Sequence, residues 1–261
     1  MNEFPHIKFL GTAGARFVMA RQIRYSAGIF LRTGGQNVII DPGPGTLLRC
    51  ARCRPAIDVS RLNTLMLTHA HLDHSNDVNV MIDAMTDGGI RQRGELFAPA
   101  ECLEGENRVV LNYLRQFPRR ITPLGGDTTY SSGGLEFTTS VRHDHGVETY
   151  GLKFHTSHGT VSFLTDTRYF EGLKDCYSGS RLLVINVVRR EPHEKYDLQH
   201  LNLAEAEGII DAVQPEMAVL THFGMTMVRA EPWKLAERMS GRLGVRVLAA
   251  SDGRTIRLDK L

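Results

Sequence analysis

The run Asn63-Thr64-Leu65-Met66-Leu67-Thr68, apolar and strand-like, leads directly into His69-Ala70-His71-Leu72-Asp73-His74. Three imidazoles and a carboxylate thus crowd into six positions at the end of a strand. Histidine is the commonest ligand for zinc and similar ions, and an aspartate adds the charge that holds a dication, so the cluster suits one metal ion or two. A solvated turn is the alternative reading, but turn chemistry would place Gly, Asn or Pro here instead. A fold for this chain therefore has to let side chains from other strand ends converge on this one.

The rest of the sequence reads as α/β. Strand-like HIKFL, AGIFL and NVIID precede a helix from about Thr46, and strand TLMLT runs into His69. A helix is expected near Asp77 to Met85, a strand near Leu96 to Ala98 and a helix near Arg108 to Phe117. Strands LEFTTSV, YGLKF, VSFLT and RLLVIN follow. Helix Asn202 to Val213, strand MAVLT, helix Pro232 to Arg242 and strands VRVLAA and TIRL complete the pattern. NTLMLTHAH and EMAVLTHFG echo one another, each an apolar strand running into Thr-His, as two stacked halves would.

No Pro/Gly/Ser-rich linker divides the 261 residues, so one domain over 1–261 is expected, and 42% hydrophobic content supplies its core. A net charge of +2 without runs of like sign resembles neither a nucleic-acid tail nor a membrane-surface patch. With no signal-like start and no long apolar stretch, the protein is expected to be soluble and cytoplasmic, without a membrane partner. Cys50, Cys53, Cys102 and Cys176 form no disulfide framework. The lone Cys50-x-x-Cys53 reads as two thiols on adjacent helical turns.

His69, His71, Asp73 and His74 match the H-x-H-x-D-H signature of the metallo-β-lactamase superfamily, which this sequence resembles from about Asp41 to Gly224. The resemblance implies a four-layer αββα sandwich. It also implies that Asp41, in Val38-Ile39-Ile40-Asp41-Pro42-Gly43, braces the metal loops without binding metal. His145 would be the third-region histidine, Asp166 the bridging carboxylate and His222 the last ligand. One ion would then lie on His69, His71 and His145, and the other on Asp73, His74 and His222, with Asp166 shared. Asp73 is also expected to act at the reaction centre. His143, two residues before His145, reads as an outer or exposed histidine.

Two divalent ions, zinc or alternatively manganese or iron, would lower the pKa of a water between them and supply hydroxide for hydrolysis. His71 stands where flavodiiron oxidoreductases carry Glu, and His74 and Asp166 stand where classical zinc β-lactamases differ, which leaves esters, thioesters or phosphodiesters. His200, in Asp197-Leu198-Gln199-His200-Leu201-Asn202, resembles the leaving-group histidine of the tRNase Z and cyclic-phosphate phosphodiesterase branches, a proton donor to an alkoxide. Its other reading is a residue that caps or packs against the helix it precedes. Gly11-Thr12-Ala13-Gly14-Ala15-Arg16 and Arg24-Tyr25-Ser26 resemble the glycine loop and Arg-x-x-Ser stretch of tRNase Z. Arg24, or else Arg16 or Arg21, would there bind a phosphate.

The His-Glu-Ala-Thr loop and long arm of tRNase Z are missing, as is the cysteine-rich N-terminal zinc site of the cyclic phosphodiesterases, so tRNA is a doubtful substrate. The expected partner is a small or cyclic phosphate ester, with a homodimer left open. The alternatives are a thioester or lactone hydrolase like glyoxalase II, or a metal-stabilised binding scaffold without turnover.

Overall fold

A computed structural model describes residues 4–14, 16–26, 28–193, 195, 196 and 198–261. Ala15 of the glycine loop and Asp197 of the segment before His200 lie outside them. The chain first builds β1 (His6–Phe9), β2 (Ile29–Thr33), β3 (Gln36–Ile40), β4 (Thr64–Met66), β5 (Glu95–Pro99) and β6 (Arg120–Leu124). It then builds β7 (Thr129–Ser132), β8 (Leu135–Arg142), β9 (Tyr150–Thr156), β10 (Gly159–Leu164), β11 (Ser180–Asn186), β12 (Met217–Thr221) and β13 (Arg246–Ala249). β14 (Thr255–Arg257) returns to the first sheet, whose order is β14-β1-β2-β3-β4-β5-β6. The second sheet has the order β13-β12-β11-β10-β9-β8-β7. Each is mixed, with pairing antiparallel from β14 to β3 and parallel from β3 to β6 in the first, and antiparallel from β7 to β10 and parallel from β10 to β13 in the second.

Alternation along the strands sorts the side chains into layers. In β1, Ile7 and Phe9 enter a core shared with Phe137, Phe154, Val184 and Val219 of the opposite sheet. A fully buried side chain of this size contributes about 1.5–3 kcal/mol. On the outer face of the first sheet, Ile39, Leu65 and Leu96 pack against helices Thr46–Arg52 and Val78–Met85. Outside the second sheet, Leu183, Ile185 and Leu220 pack against helices Leu203–Val213 and Pro232–Leu243. The result is the expected αββα sandwich. β11 and β12 are apolar at consecutive positions because both of their faces are covered.

One local expectation needs correction, and two strands were not foreseen. Residues 108–117 hold only a 3-10 turn, Asn112–Gln116, in place of a helix. Buried Val110 and Leu114 imitate helical spacing, but Asn79 captures the backbone, donating to Val109 O at 2.8 Å and accepting from Leu111 N at 2.9 Å. Strands β6 and β7 are not visible in the hydrophobic pattern because they are the sheet edges, with largely exposed or half-buried residues and, in β6, Pro123. No helix among the described residues is long and apolar enough to cross a membrane.

Candidate metal centre

The site forms where strands of both sheets end. β3 is followed by Asp41, which adopts the left-handed φ of 51° and donates its amide to Met66 O at 2.8 Å. This places its carboxylate against the loop after β4. Oδ1 accepts from Thr68 N and Oδ2 from the Thr68 hydroxyl, both at 2.7 Å. Oδ2 also lies 2.9 Å from His74 Nδ1. Gly43 lets the two loops touch: a Cβ there would lie 2.0 Å from Asp73 O and 2.1 Å from Ser26 O.

These bonds orient the rings. Because the Thr68 hydroxyl hydrogen is given to Asp41, the same oxygen accepts from His69 Nδ1 at 3.0 Å and leaves His69 Nε2 as the bare nitrogen. Asp41 orients the His74 ring through its Nδ1, and Gln199 O does for His145 what Thr68 does for His69, accepting from its Nδ1 at 2.7 Å. The Nε2 atoms of all three then face Asp166, which follows β10. Asp166 Oδ2 is 3.8 Å from His69 Nε2, 3.2 Å from His74 Nε2 and 3.6 Å from His145 Nε2. His222, just beyond β12 with a φ of 59°, brings its Nε2 to 3.2 Å from Asp166 Oδ2 and 3.5 Å from Asp73 Oδ2. His71 Nδ1 lies 3.0 Å from His145 Nε2.

Four overlapping sets of ligand atoms, each mutually within 4.8 Å, occur among the described residues: His69, His71 and His145; Asp73, His74 and His222; Asp41, His69 and His74; and His145, Asp166 and His200. His69 Nε2, His74 Nε2, His222 Nε2 and Asp73 Oδ2 are buried without a hydrogen-bond partner. Buried polar atoms are rarely left so, and their convergence fits divalent cations. Burial pushes His69 well down, pushes His71 down and takes His145 to about 4, so these rings are neutral and offer lone pairs at neutral pH. His74 goes the other way. Burial opposes its protonation, but Asp73, Asp41 and Asp166 together outweigh burial and raise it. Burial likewise opposes ionisation of Asp166, and His222, His200 and His74 overcome it, holding the carboxyl well below its usual range.

His200 also reaches the cluster. Its Nδ1 is buried, unpartnered and 3.7 Å from Asp166 Oδ1, comparable to the distances of the other imidazoles. It lines a cleft of about 400 Å³ together with Arg168, Arg189, Lys195 and Tyr196. Arg24 is placed differently. Its Nη1 donates to Thr12 Oγ1 at 2.9 Å and Ala250 O at 3.1 Å, and the guanidinium lies over the Phe223 ring. None of these bonds reaches the cluster. They tie down the glycine loop, which bridges to Phe223 beside His222 through Ala13. His143 is buried behind Asp166, pairing Nδ1 with the Asp166 carbonyl at 3.2 Å and Nε2 with the Tyr177 hydroxyl at 2.9 Å. It is an outer histidine, and it is not exposed.

Sequence reasoning missed Asn186, whose Nδ2 donates to Asp166 Oδ1 at 2.9 Å, and the Gln199 carbonyl beneath His145. Asn186 carried a signal: it is the polar residue closing the apolar strand Leu182-Leu183-Val184-Ile185, where ligands gather in parallel sheets. A main-chain acceptor such as Gln199 O carries none.

Residues 36–223 match the β-lactamase superfamily domain. The chain belongs to the metallo-β-lactamase superfamily. An uncharacterized protein of Methanocaldococcus jannaschii is 28% identical over 97% of this superfamily member and 94% of its own length. A ribonuclease Z of Thermobifida fusca is 31% identical over 55% of the chain and 45% of its own length. Among solved structures, the metallo-β-lactamase-fold protein YhfI of Bacillus subtilis superposes with a TM-score of 0.79 at 17% identity, covering 97% of this chain and 99% of its own. A diphosphatase of the PhnP family does so with a TM-score of 0.70 at 21% identity, covering 97% and 96%.

Proposed function

We propose that this metallo-β-lactamase-fold hydrolase is a phosphodiesterase acting on a small or cyclic phosphate ester. The observation that carries the reading is the set of buried, unpartnered ligand atoms around Asp166. His69 Nε2, His71 Nδ1 and His145 Nε2 would hold one divalent ion, and Asp73, His74 Nε2 and His222 Nε2 a second, with Asp166 Oδ2 between them. Zinc suits the imidazole-rich set, and manganese or iron would also be accepted. Such ions supply Lewis acidity and a water that ionises near neutral pH.

The protein's own part is orientation and proton supply. Asp41, Thr68 and Gln199 fix the ring tautomers, and Asn186 fixes the Asp166 carboxylate. His200 turns Nδ1 towards Asp166 Oδ1, 3.7 Å away, and lines the cleft. From there it would donate a proton to the departing alkoxide. Arg168, Arg189 and Lys195 along the same cleft suit a phosphate better than an uncharged thioester or lactone. The ribonuclease Z relative and the diphosphatase-like fold agree with phosphoryl chemistry.

The test compares bis-p-nitrophenyl phosphate with a thioester on metal-loaded protein. Turnover of the diester is expected, and His200→Ala should fall about 10²–10⁴-fold on an alkyl phosphodiester, the range for removing a general acid, and far less on the p-nitrophenyl diester, whose leaving group departs without a proton. Faster turnover of the thioester, unchanged in His200→Ala, would assign the protein to that chemistry instead.

A further inference from the structure

A second cavity, of about 210 Å³, lies on the outer face of the first sheet. Residues of β1 and β2 that point away from the inter-sheet core, Lys8, Phe30 and Arg32 among them, meet the segment after helix Thr46–Arg52 there. Asn37, at the start of β3, lines it, whereas Asp41 beyond the other end of β3 belongs to the metal centre. Four residues of strand, about 13 Å, separate the two positions.

Its chemistry is two-sided. Phe4, Phe30 and Ile57 supply an apolar wall, and Lys8, Arg32 and Arg61 supply cations. The carboxylate in the lining, Asp58, already accepts from Ser60 N and from the Ser60 hydroxyl. Lys8 is only 4% exposed. It donates to Arg54 O at 3.0 Å and Thr255 Oγ1 at 3.1 Å, both neutral, and no carboxylate among the described residues lies within ion-pair distance. A lysine has three hydrogens to donate, and a buried ammonium without counter-charge is costly. The Arg32 guanidinium has no hydrogen bond or ion pair among the described residues. His6, in the same wall, is shifted down by burial and further by Arg32 and Lys8, which reports the positive field there.

We infer that this cavity is a second ligand site, separate from the metal centre, for a small aromatic carboxylate. Its ring would lie against the wall made by Phe4, Phe30, Ile57 and the His6 ring that packs on both phenylalanines, and its head would meet Lys8 and the fork of Arg32. The size agrees, since an apolar cavity of about 150 Å³ holds a benzene ring. Arginine recognises a carboxylate through two parallel hydrogen bonds.

The experiment is calorimetric titration of the full chain with benzoate, both metal-loaded and chelator-treated, with benzyl alcohol and acetate as the bodies without charge and charge without body. Saturable benzoate binding is expected, equal in the two preparations and at least tenfold tighter than either control. It should weaken at least tenfold in Arg32→Gln, whose half-buried side chain holds nothing else in place. Lys8→Met should abolish it while the thermal midpoint holds or rises. Absence of saturable binding, loss of binding on chelation, or undiminished binding in Arg32→Gln would each overturn the inference. Because the chelated protein has no turnover to lose, the result is independent of the phosphodiesterase reading.

Discussion

Among the individual residues, Asp41 does the most without facing the cluster. One carboxylate accepts the Thr68 amide, the Thr68 hydroxyl and His74 Nδ1, and through them it aims the bare Nε2 of His69 and orients the His74 ring. Asp41→Asn keeps the size but can offer an amide hydrogen where an acceptor is needed. Metal affinity is expected to fall about 10–100-fold, with the fold retained. Competition against a chromophoric chelator measures it, and an unchanged affinity would mean that the rings hold their orientation without this brace. Asp41 was legible in the sequence from the motif around it. Its partner Thr68 directly precedes His69, with no sign in the sequence that its hydroxyl decides that ring's tautomer.

The elements bring these residues together by ending abruptly. β3 and β12 are each followed by a left-handed residue, Asp41 and His222, which turns each side chain inward where a continuing strand would have pointed elsewhere. Close backbone approach supports both turns: a Cβ on Gly43 would overlap Asp73 O, and one on Gly14 would lie 2.4 Å from His222 O. Gly43→Ala is therefore expected to push the loop carrying Asp73 and His74 outward. The expected cost is about 1–3 kcal/mol, as for other overpacked sites, with loss of tight metal binding. Urea unfolding of the chelated protein and metal titration read the two effects separately. A variant as stable as the parent with full affinity would show that the loops can separate freely. Strands and helices with a full apolar face could be read from periodicity. The segment at 108–117 could not, because the Asn79 bonds that hold it open come from another element.

For the whole molecule, assembly of the site places imidazoles in the interior, several of them held neutral by burial. His143 and His145 are both lowered by burial, to about 4, from an ordinary value of 6.5. Between those two values the unfolded chain binds protons that the native chain does not, so stability rises with pH across the window and is lost as pH falls through it. His74, raised by its three carboxylate neighbours against its burial, has the opposite sign. Its contribution is full below its unfolded value and fades as pH rises through its native one. Chelated protein should therefore show urea midpoints that decrease as pH falls from about 6.5 towards about 4. A flat profile there would contradict the buried neutral rings.

The α/β alternation and the types and order of the candidate ligand residues were legible along the chain, and the likeness to the superfamily implied the αββα class. Those depend on apolar periodicity and on dense, local motifs that survive without knowledge of neighbours. Long-range packing set which nitrogen of each ring faces Asp166, made Asn186 steady that carboxylate and made Arg24 hold a loop through Thr12 and Ala250. It also decided that a buried lysine faces a separate cavity on the far side of a sheet. The physical reason is common to all of these. A hydrogen bond or an unpaired charge is defined by the atom opposite it, and here that atom comes from a segment far away in the chain.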